Sequence, residues 1–249
     1  MTRVLAWDGC VNVRDLGGLP LEDGGETAYR VVVRSDSVRT LTDAGWQALE
    51  AYGVGRIVDL RWAEELAEDP PRDVGVDVVH VPLFGPVRTG PFEAEFDARL
   101  DATEDPVEYY RWSYLRFLEE FAPNFATAVA ALADGDGPAV VHCAGGKDRT
   151  GLVCALALLL AGVPVDAVAD DWALSDASWK PYNAEWIASA PNEIERRRRR
   201  IWGVAPRAAM VDVLAGVERR HGGARAYLEG AGIRAPALER LRDRLRGEA

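Results

Sequence analysis

The chain has 249 residues, 48% of them apolar and 28% charged, with a formal net charge of −11. Those proportions suit one large domain around a sizeable core, and the acidic balance argues against nucleic acid as a partner. Met1–Cys10 lacks the basic start and apolar run of a leader, and the longest apolar stretch, Leu152–Ala161, is too short to cross a bilayer. A cytoplasmic protein without stable membrane insertion is therefore expected. Cys10, Cys143 and Cys154 form no disulfide ladder, which fits a reducing compartment.

In chain order, Ala28–Arg34 is rich in β-branched residues and reads as a strand that stops at the turn cluster Ser35-Asp36-Ser37. Thr42 is placed to cap a helix ending near Gly53, with Leu41 and Trp46 at the two ends of a hydrophobic staple. Arg56–Leu60 and Val76–Val81 read as further strands, the second ended by Pro82. Gly85–Asp105 mixes Pro, Gly and acidic residues without a clear period and is expected to be irregular. From Pro106 the period turns helical through Tyr110, Tyr114, Phe117, Leu118 and Phe121, and a second helix covers Asn124–Ala133.

Pro138–Cys143 is a short apolar strand, and a helix from about Arg149 to Ala161 follows, closed by Gly162 and Pro164. Beyond it the expected elements are all helices: Val165–Leu174, Pro191–Trp202, Arg207–His221, Ala224–Ala231 and Ala235–Arg246. The expectation is an α/β fold over 1–249 as one domain, with a sheet-containing core to about residue 163 and a helical C-terminal third packed on it.

The chemistry concentrates in His142-Cys143-Ala144-Gly145-Gly146-Lys147-Asp148-Arg149-Thr150-Gly151, where a strand ends, a loop turns back and a helix starts. Such a loop aims successive backbone N–H groups at its centre, and the helix adds its positive end, which makes an anion site. The same oriented amides and the Arg149 guanidinium favour the thiolate, the reactive form of a cysteine. Cys143 is thus the candidate nucleophile, and the amides of Ala144, Gly145, Gly146, Lys147 and Asp148 with Arg149 are the candidate phosphate binders. Thr150 is placed to donate to the sulfur as it leaves. A Walker A loop is excluded, because Asp148 follows Lys147 where Ser or Thr is required.

This loop matches the Cys-x5-Arg-Ser/Thr signature of the protein tyrosine phosphatase superfamily. Together with Asn12-Val13-Arg14-Asp15-Leu16-Gly17-Gly18, Arg34-Ser35, Asp59-Leu60-Arg61 with Glu64, and the C-terminal Gly222-Gly223, Tyr227-Leu228 and Gly232, it resembles the atypical bacterial tyrosine phosphatases, including mycobacterial and listerial protein and lipid phosphatases. The resemblance implies a central sheet flanked by helices and action on phosphotyrosine, with dual specificity or phosphoinositide activity as extensions. It also implies a mid-chain insertion, here 85–118, that covers the pocket as a lid. Asp148 is the general acid that the family would use, with Asp59 and Asp105 as competitors.

Lys147 has two readings, a binder of a second phosphate or a solvated loop lysine. His142, Asp59, Arg61 and Glu64 are candidates for supporting the loop or touching substrate. Arg196–Arg200 spreads around a helix and reads as salt-bridged, with lipid contact as the lesser reading. Cys154 reads as core. No metal or other cofactor is expected, and the oligomeric state is open. Two alternatives remain, a rhodanese-like sulfurtransferase and an inactive phosphate-binding module.

Overall fold

The computed structural model describes residues 2–69, 72, 74–85 and 91–248. Five strands, β1 (Arg14–Asp15), β2 (Val32–Ser35), β3 (Arg56–Asp59), β4 (Asp77–His80) and β5 (Ala139–His142), form one sheet in the order β1-β2-β5-β3-β4. β1 is antiparallel to β2, and the rest are parallel. β5 therefore lies in the middle, with Ser35 and Asp59 level with His142 on either side. A parallel sheet binds ligands beyond the carboxyl ends of its strands, and this register puts the loop after β5 there.

Alternation along the strands separates two cores. Val33, Ile57 and Val140 face Trp46 and Leu49 of helix α1 (Asp43–Ala51), while Val32, Val58 and Val141 face the larger cluster of helices. Thr42 accepts from Gly45 N at 3.2 Å and caps α1, and Leu41 and Trp46 are buried in the same cluster. The larger face holds α4 (Pro106–Glu120), α5 (Ala122–Ala133) and α6 (Asp148–Ala161). α6 is buried over nearly its whole length and ends at Gly162, whose φ of 91° supplies the left-handed cap. Against these pack α7 (Val165–Ala188), α8 (Glu193–Trp202), α9 (Arg207–His221), α10 (Ala224–Gly230) and α11 (Ala235–Arg246).

Three expectations need correction, and one helix was not anticipated. The strand expected over Ala28–Arg34 begins only at Val32, because Arg30 takes φ 64° and spends its N–H on Asp15. The stretch expected to be irregular contains α3 (Pro91–Ala102), in which Phe92, Phe96 and Leu100 recur at four-residue steps among acidic neighbours. Residues 86–90, part of that stretch, lie outside the described residues. A short helix, α2 (Ala63–Glu68), follows β3. Finally, α7 does not stop at Leu174 but runs on through Pro181. Trp179 before the proline donates to Gly145 O at 2.9 Å, and Asn183 after it donates to Gly203 O at 2.5 Å, so both flanks are anchored. Among the described residues no helix is long and apolar enough to cross a membrane.

Candidate active site

In the loop between β5 and α6 the carbonyls of Ala144 to Lys147 all accept from groups outside the loop. Ala144 O accepts from Ser37 N at 3.0 Å, and Gly145 O from Trp179 Nε1 and from Asn12 Nδ2 at 3.0 Å. Gly146 O accepts from Arg34 at 2.8 Å and from Asn12, and Lys147 O from Trp172 Nε1 at 3.2 Å. Because a peptide plane carries N–H opposite C=O, turning the carbonyls out turns the amides in. Among the described residues no acceptor takes the N–H of Ala144, Gly145, Gly146 or Lys147. Gly146 is required: its φ is 63°, and a Cβ would meet the backbone of Ser35 and Asp36 at 2.5 Å.

The support beneath the loop is an ion cluster that sequence inspection missed. Asp171 of α7 accepts from Arg14 Nε at 3.0 Å, from Arg34 at 2.7 Å and from Arg3. Burial opposes its ionisation, but Arg14, Arg34 and Arg3 hold its carboxyl well below the usual carboxylate range. Arg14 also donates to Asn12 Oδ1 at 2.7 Å, which orients the carboxamide that holds Gly145 O and Gly146 O. Arg14 is therefore part of the loop support. Asp15 instead accepts from Gly17 N and Arg30 N and braces the β1 to β2 turn. The polar residues Asp171 and Ser175 gave no local signal of this role, because their partners Arg14, Arg34 and Asn12 lie more than 130 positions away.

Cys143 sits at the end of β5 and is 2% exposed. Arg149, on the first turn of α6, is gripped end-on by Glu65 of α2, at 2.5 Å and 3.0 Å from the two terminal nitrogens. Its guanidinium lies over the Trp62 ring, 4.2 Å from the centroid. No described residue accepts its Nε–H, so one edge of the fork remains available. Burial alone would lower the Arg149 pKa, but Cys143 and Glu65 raise it. Glu65 is the acidic residue that sequence reasoning missed by one position. Glu64 is exposed on the next face of α2, while Glu65 also accepts from Trp62 N at 2.8 Å.

His142, Asp59 and Arg61 lie behind the loop. Arg61 donates to Asp59 at 2.8 Å, and His142 Nε2 lies 3.5 Å from Asp59 Oδ2. Burial lowers the His142 pKa to about 4, although Asp59 opposes that, so the ring is neutral at pH 7. Asp59 is thus engaged by Arg61 and is not among the described residues that line the cleft. Asp105 caps α4 by accepting from Val107 N at 2.8 Å and is likewise not among the described residues that line the cleft. Asp148 stays in the cleft, where Tyr114 Oη donates to Oδ1 at 2.5 Å. Burial and Asp148 both hold the Tyr114 phenol well above its ordinary pKa, so it remains a donor.

Lys147 fits neither sequence reading. It is 8% exposed, and its ammonium donates to Tyr110 Oη at 2.6 Å, to Val204 O at 3.1 Å and to Trp202 O. Burial lowers its pKa from the usual lysine range, with Asp148 opposing. Thr150 Oγ1 is buried without a partner, so the expected bond to the sulfur is not made in this geometry. Cys154 is buried in the core, where burial pushes its thiol up to about 12.

Above the loop opens a cleft of about 750 Å³, walled by aromatic rings from α3, α4 and α7 and floored by Ala144, Asp148 and Arg149. The lid expected from 85–118 is represented among the described residues by α3 and α4, which form one wall. The arginine run is consumed in closing the wall behind it. Arg198 pairs with Asp101 at 2.6 Å and Asp97 at 3.3 Å of α3, and Arg197 donates to Thr103 O at 2.8 Å. Arg199 pairs with Glu195 at 3.0 Å, Arg200 with Glu193 at 3.3 Å, and Arg196 with Glu193. All five are therefore engaged by carboxylates or carbonyls, as the salt-bridged reading has it, with Arg196 and Arg200 sharing Glu193.

A central parallel strand that empties into such a loop defines a phosphatase of the protein-tyrosine-phosphatase type. Residues 5–247 match the model of the tyrosine phosphatase family, and the chain belongs to that family. It is 30% identical over 231 residues to a tyrosine-protein phosphatase of Nostoc commune, covering 86% of this chain and 73% of that one. It is also 26% identical over 276 aligned positions to the triple specificity protein phosphatase PtpB of Mycobacterium tuberculosis, covering 94% of this chain and 99% of the relative.

Proposed function

We propose that the chain hydrolyses phosphotyrosine through a cysteinyl-phosphate, with Cys143 as nucleophile. The observation that carries this is that, among the described residues, nothing accepts the amides of Ala144 to Lys147, in a loop flanked by the buried Cys143 and by Arg149, whose Nε–H is unengaged. A phosphate dianion bound in that ring faces the thiolate. The sulfur attacks phosphorus, the bond to the leaving oxygen breaks, and Asp148 gives that oxygen its proton. Water then attacks phosphorus, Asp148 takes back a proton, and the S–P bond breaks to return the thiolate and inorganic phosphate. The Thr150 hydroxyl, buried and unpartnered, is the donor available to the sulfur as it leaves. Glu65 and Trp62 are positioning residues for Arg149.

The aromatic walls favour a phenolic phosphate, whose ring reaches down to the loop between them. The mycobacterial relative carries a triple specificity in its name, and phosphoserine and phosphothreonine are secondary substrates here by analogy. A cytoplasmic setting suits the chemistry, since Cys143 acts only when reduced. The test is hydrolysis of p-nitrophenyl phosphate by wild type and Cys143→Ser, with a reductant and a chelator. Turnover by the wild type and none by the variant is expected. A variant as fast as wild type would overturn the proposal.

A further inference from the structure

We propose that the cleft selects phosphotyrosine within a basic peptide segment and excludes polyphosphorylated inositol headgroups. This rests on the phosphatase reading above and narrows its substrate class. The starting point is which charges face the cleft. Among the described residues that line it, the cations are Lys147 and Arg149. Arg149 is required by the reacting phosphate. Lys147 is spent on the Tyr110 hydroxyl and the carbonyls of Trp202 and Val204, so it has nothing to offer a second phosphate. A headgroup with further phosphates would bring two or more negative charges into a wall with no free counter-charge.

The walls are, on the contrary, acidic above the loop. Asp97 and Glu195 line the cleft and are balanced from behind by Arg198 and Arg199. Asp176 accepts the backbone N–H of Ala205 and lies close enough to Lys147 to favour its charge. Glu93 of α3, half-buried and facing the same space, has no partner among the described residues. These carboxylates do not define the site, which the loop and the 750 Å³ cleft define already. They determine what the space beyond the phosphate will accept. That space is larger than one phosphorylated ring fills, so residues flanking the phosphotyrosine enter it.

A second feature points to the same ligand. Tyr182 of α7 lines the cleft and is 50% exposed, and Trp186, one turn on, is 38% exposed and already stacks with Arg199 at 5.1 Å. Large rings left open in a cleft that also holds the Glu93 carboxylate, unpartnered among the described residues, are the surroundings that an incoming arginine finds favourable, by stacking and by charge at once. An acidic segment would meet the same carboxylates with like charge.

The test compares kcat/KM at low and high salt for phosphotyrosine peptides of one length carrying basic, neutral or acidic flanks. A soluble short-chain phosphatidylinositol polyphosphate and p-nitrophenyl phosphate run alongside. Two exposed pairs gained rather than opposed predict about a tenfold preference for basic over acidic flanks at low salt, shrinking as salt rises. The inositol polyphosphate is expected to be the slowest of the set. Glu93→Gln is expected to reduce the basic preference severalfold, and Glu93→Lys to reverse it. Equal rates across the peptides, an acidic preference, or faster turnover of the inositol polyphosphate overturns this inference while p-nitrophenyl phosphate is still hydrolysed. Loss of turnover on every substrate, p-nitrophenyl phosphate included, removes the phosphatase reading itself and this inference with it.

Discussion

Replacing Asp171 by Asn keeps the shape of the side chain but leaves Arg3, Arg14 and Arg34 clustered around a neutral group. The Arg14 and Arg34 side chains are 3% and 1% exposed, so water cannot replace the lost charge. Breaking a buried pair from one side costs about 3–5 kcal/mol, a large part of the roughly 5–15 kcal/mol that holds a domain folded. For a chain of this size that corresponds to a fall in Tm of roughly 10 °C. The exposed pair between Arg240 and Asp134 provides the control, and Arg240→Gln is expected to leave Tm unchanged within error. The measurement is denaturant unfolding of both variants at several pH values. Because the folded-state pKa of Asp171 is depressed, its contribution is present above the unfolded carboxyl value of about 3.9 and is lost as pH falls through the folded value. The gap between wild type and Asp171→Asn should therefore be full at pH 7 and narrow below about pH 4. A loss under about 1 kcal/mol at pH 7 would refute the claim that this cluster is the support under the loop.

Three further outcomes follow from the same geometry. Glu65→Gln removes the charge from the grip on Arg149 and is expected to lower kcat/KM about thirtyfold, equivalent to about 2 kcal/mol, with Tm little changed; an unaltered kcat/KM would count against Glu65 as a positioning residue. Asp148→Asn is expected to slow phosphotyrosine peptides by about 10²–10³ and p-nitrophenyl phosphate far less, because a good leaving group needs little protonation; equal losses on both would exclude it as the acid. His142 is buried neutral with a pKa of about 4, so the unfolded chain takes up its proton first as pH falls. Wild-type stability should then decline below about pH 6.5, by at most about 1.4 kcal/mol per unit, and His142→Gln should flatten that slope in urea titrations.

The elements that could be read from the chain were those whose periods are local. β5 and α6 declared themselves because an apolar strand, a glycine-rich turn and an apolar helix follow one another without interruption, and Thr42 declared the start of α1. What stayed hidden depended on distant partners. α3 carries Phe92, Phe96 and Leu100 on one face, but Glu93, Glu95 and Asp97 between them obscured the period. α7 outran its expected end because Trp179 and Asn183 are anchored to the loop and to Gly203, contacts with no local signature. Glu65 was displaced by one residue from the acidic position singled out, a choice that only the direction of α2 decides. Lys147 misled for a related reason. A lysine in an anion loop suggests a ligand, yet this one, at the edge of the cleft, is held by the Tyr110 hydroxyl and by carbonyls from the end of α8 and the segment after it.

These observations bear on what the ten-residue motif alone can do. His142 to Gly151 contains the sulfur, the guanidinium and the amides, but nothing within it obliges those amides to converge. Convergence comes from the donors that hold the carbonyls out: Ser37 after β2, Asn12 before β1, Arg34 on β2, and Trp172 and Trp179 on α7. Two of the five lie in the C-terminal third, and Asp171, which fixes Arg34 and indirectly Asn12, lies there too. The tightness of the assembly is visible at Gly151, where an added Cβ would meet the Trp172 ring at 2.6 Å. A chain with the motif intact but without α7 would keep the reactive groups and lose the geometry that makes them a phosphate site. Helix α7 thus belongs to the proposed site as the support of its loop, and the pairing of Asp171 with Arg14 and of Trp172 with the loop is a sign of that geometry which the loop sequence by itself does not carry.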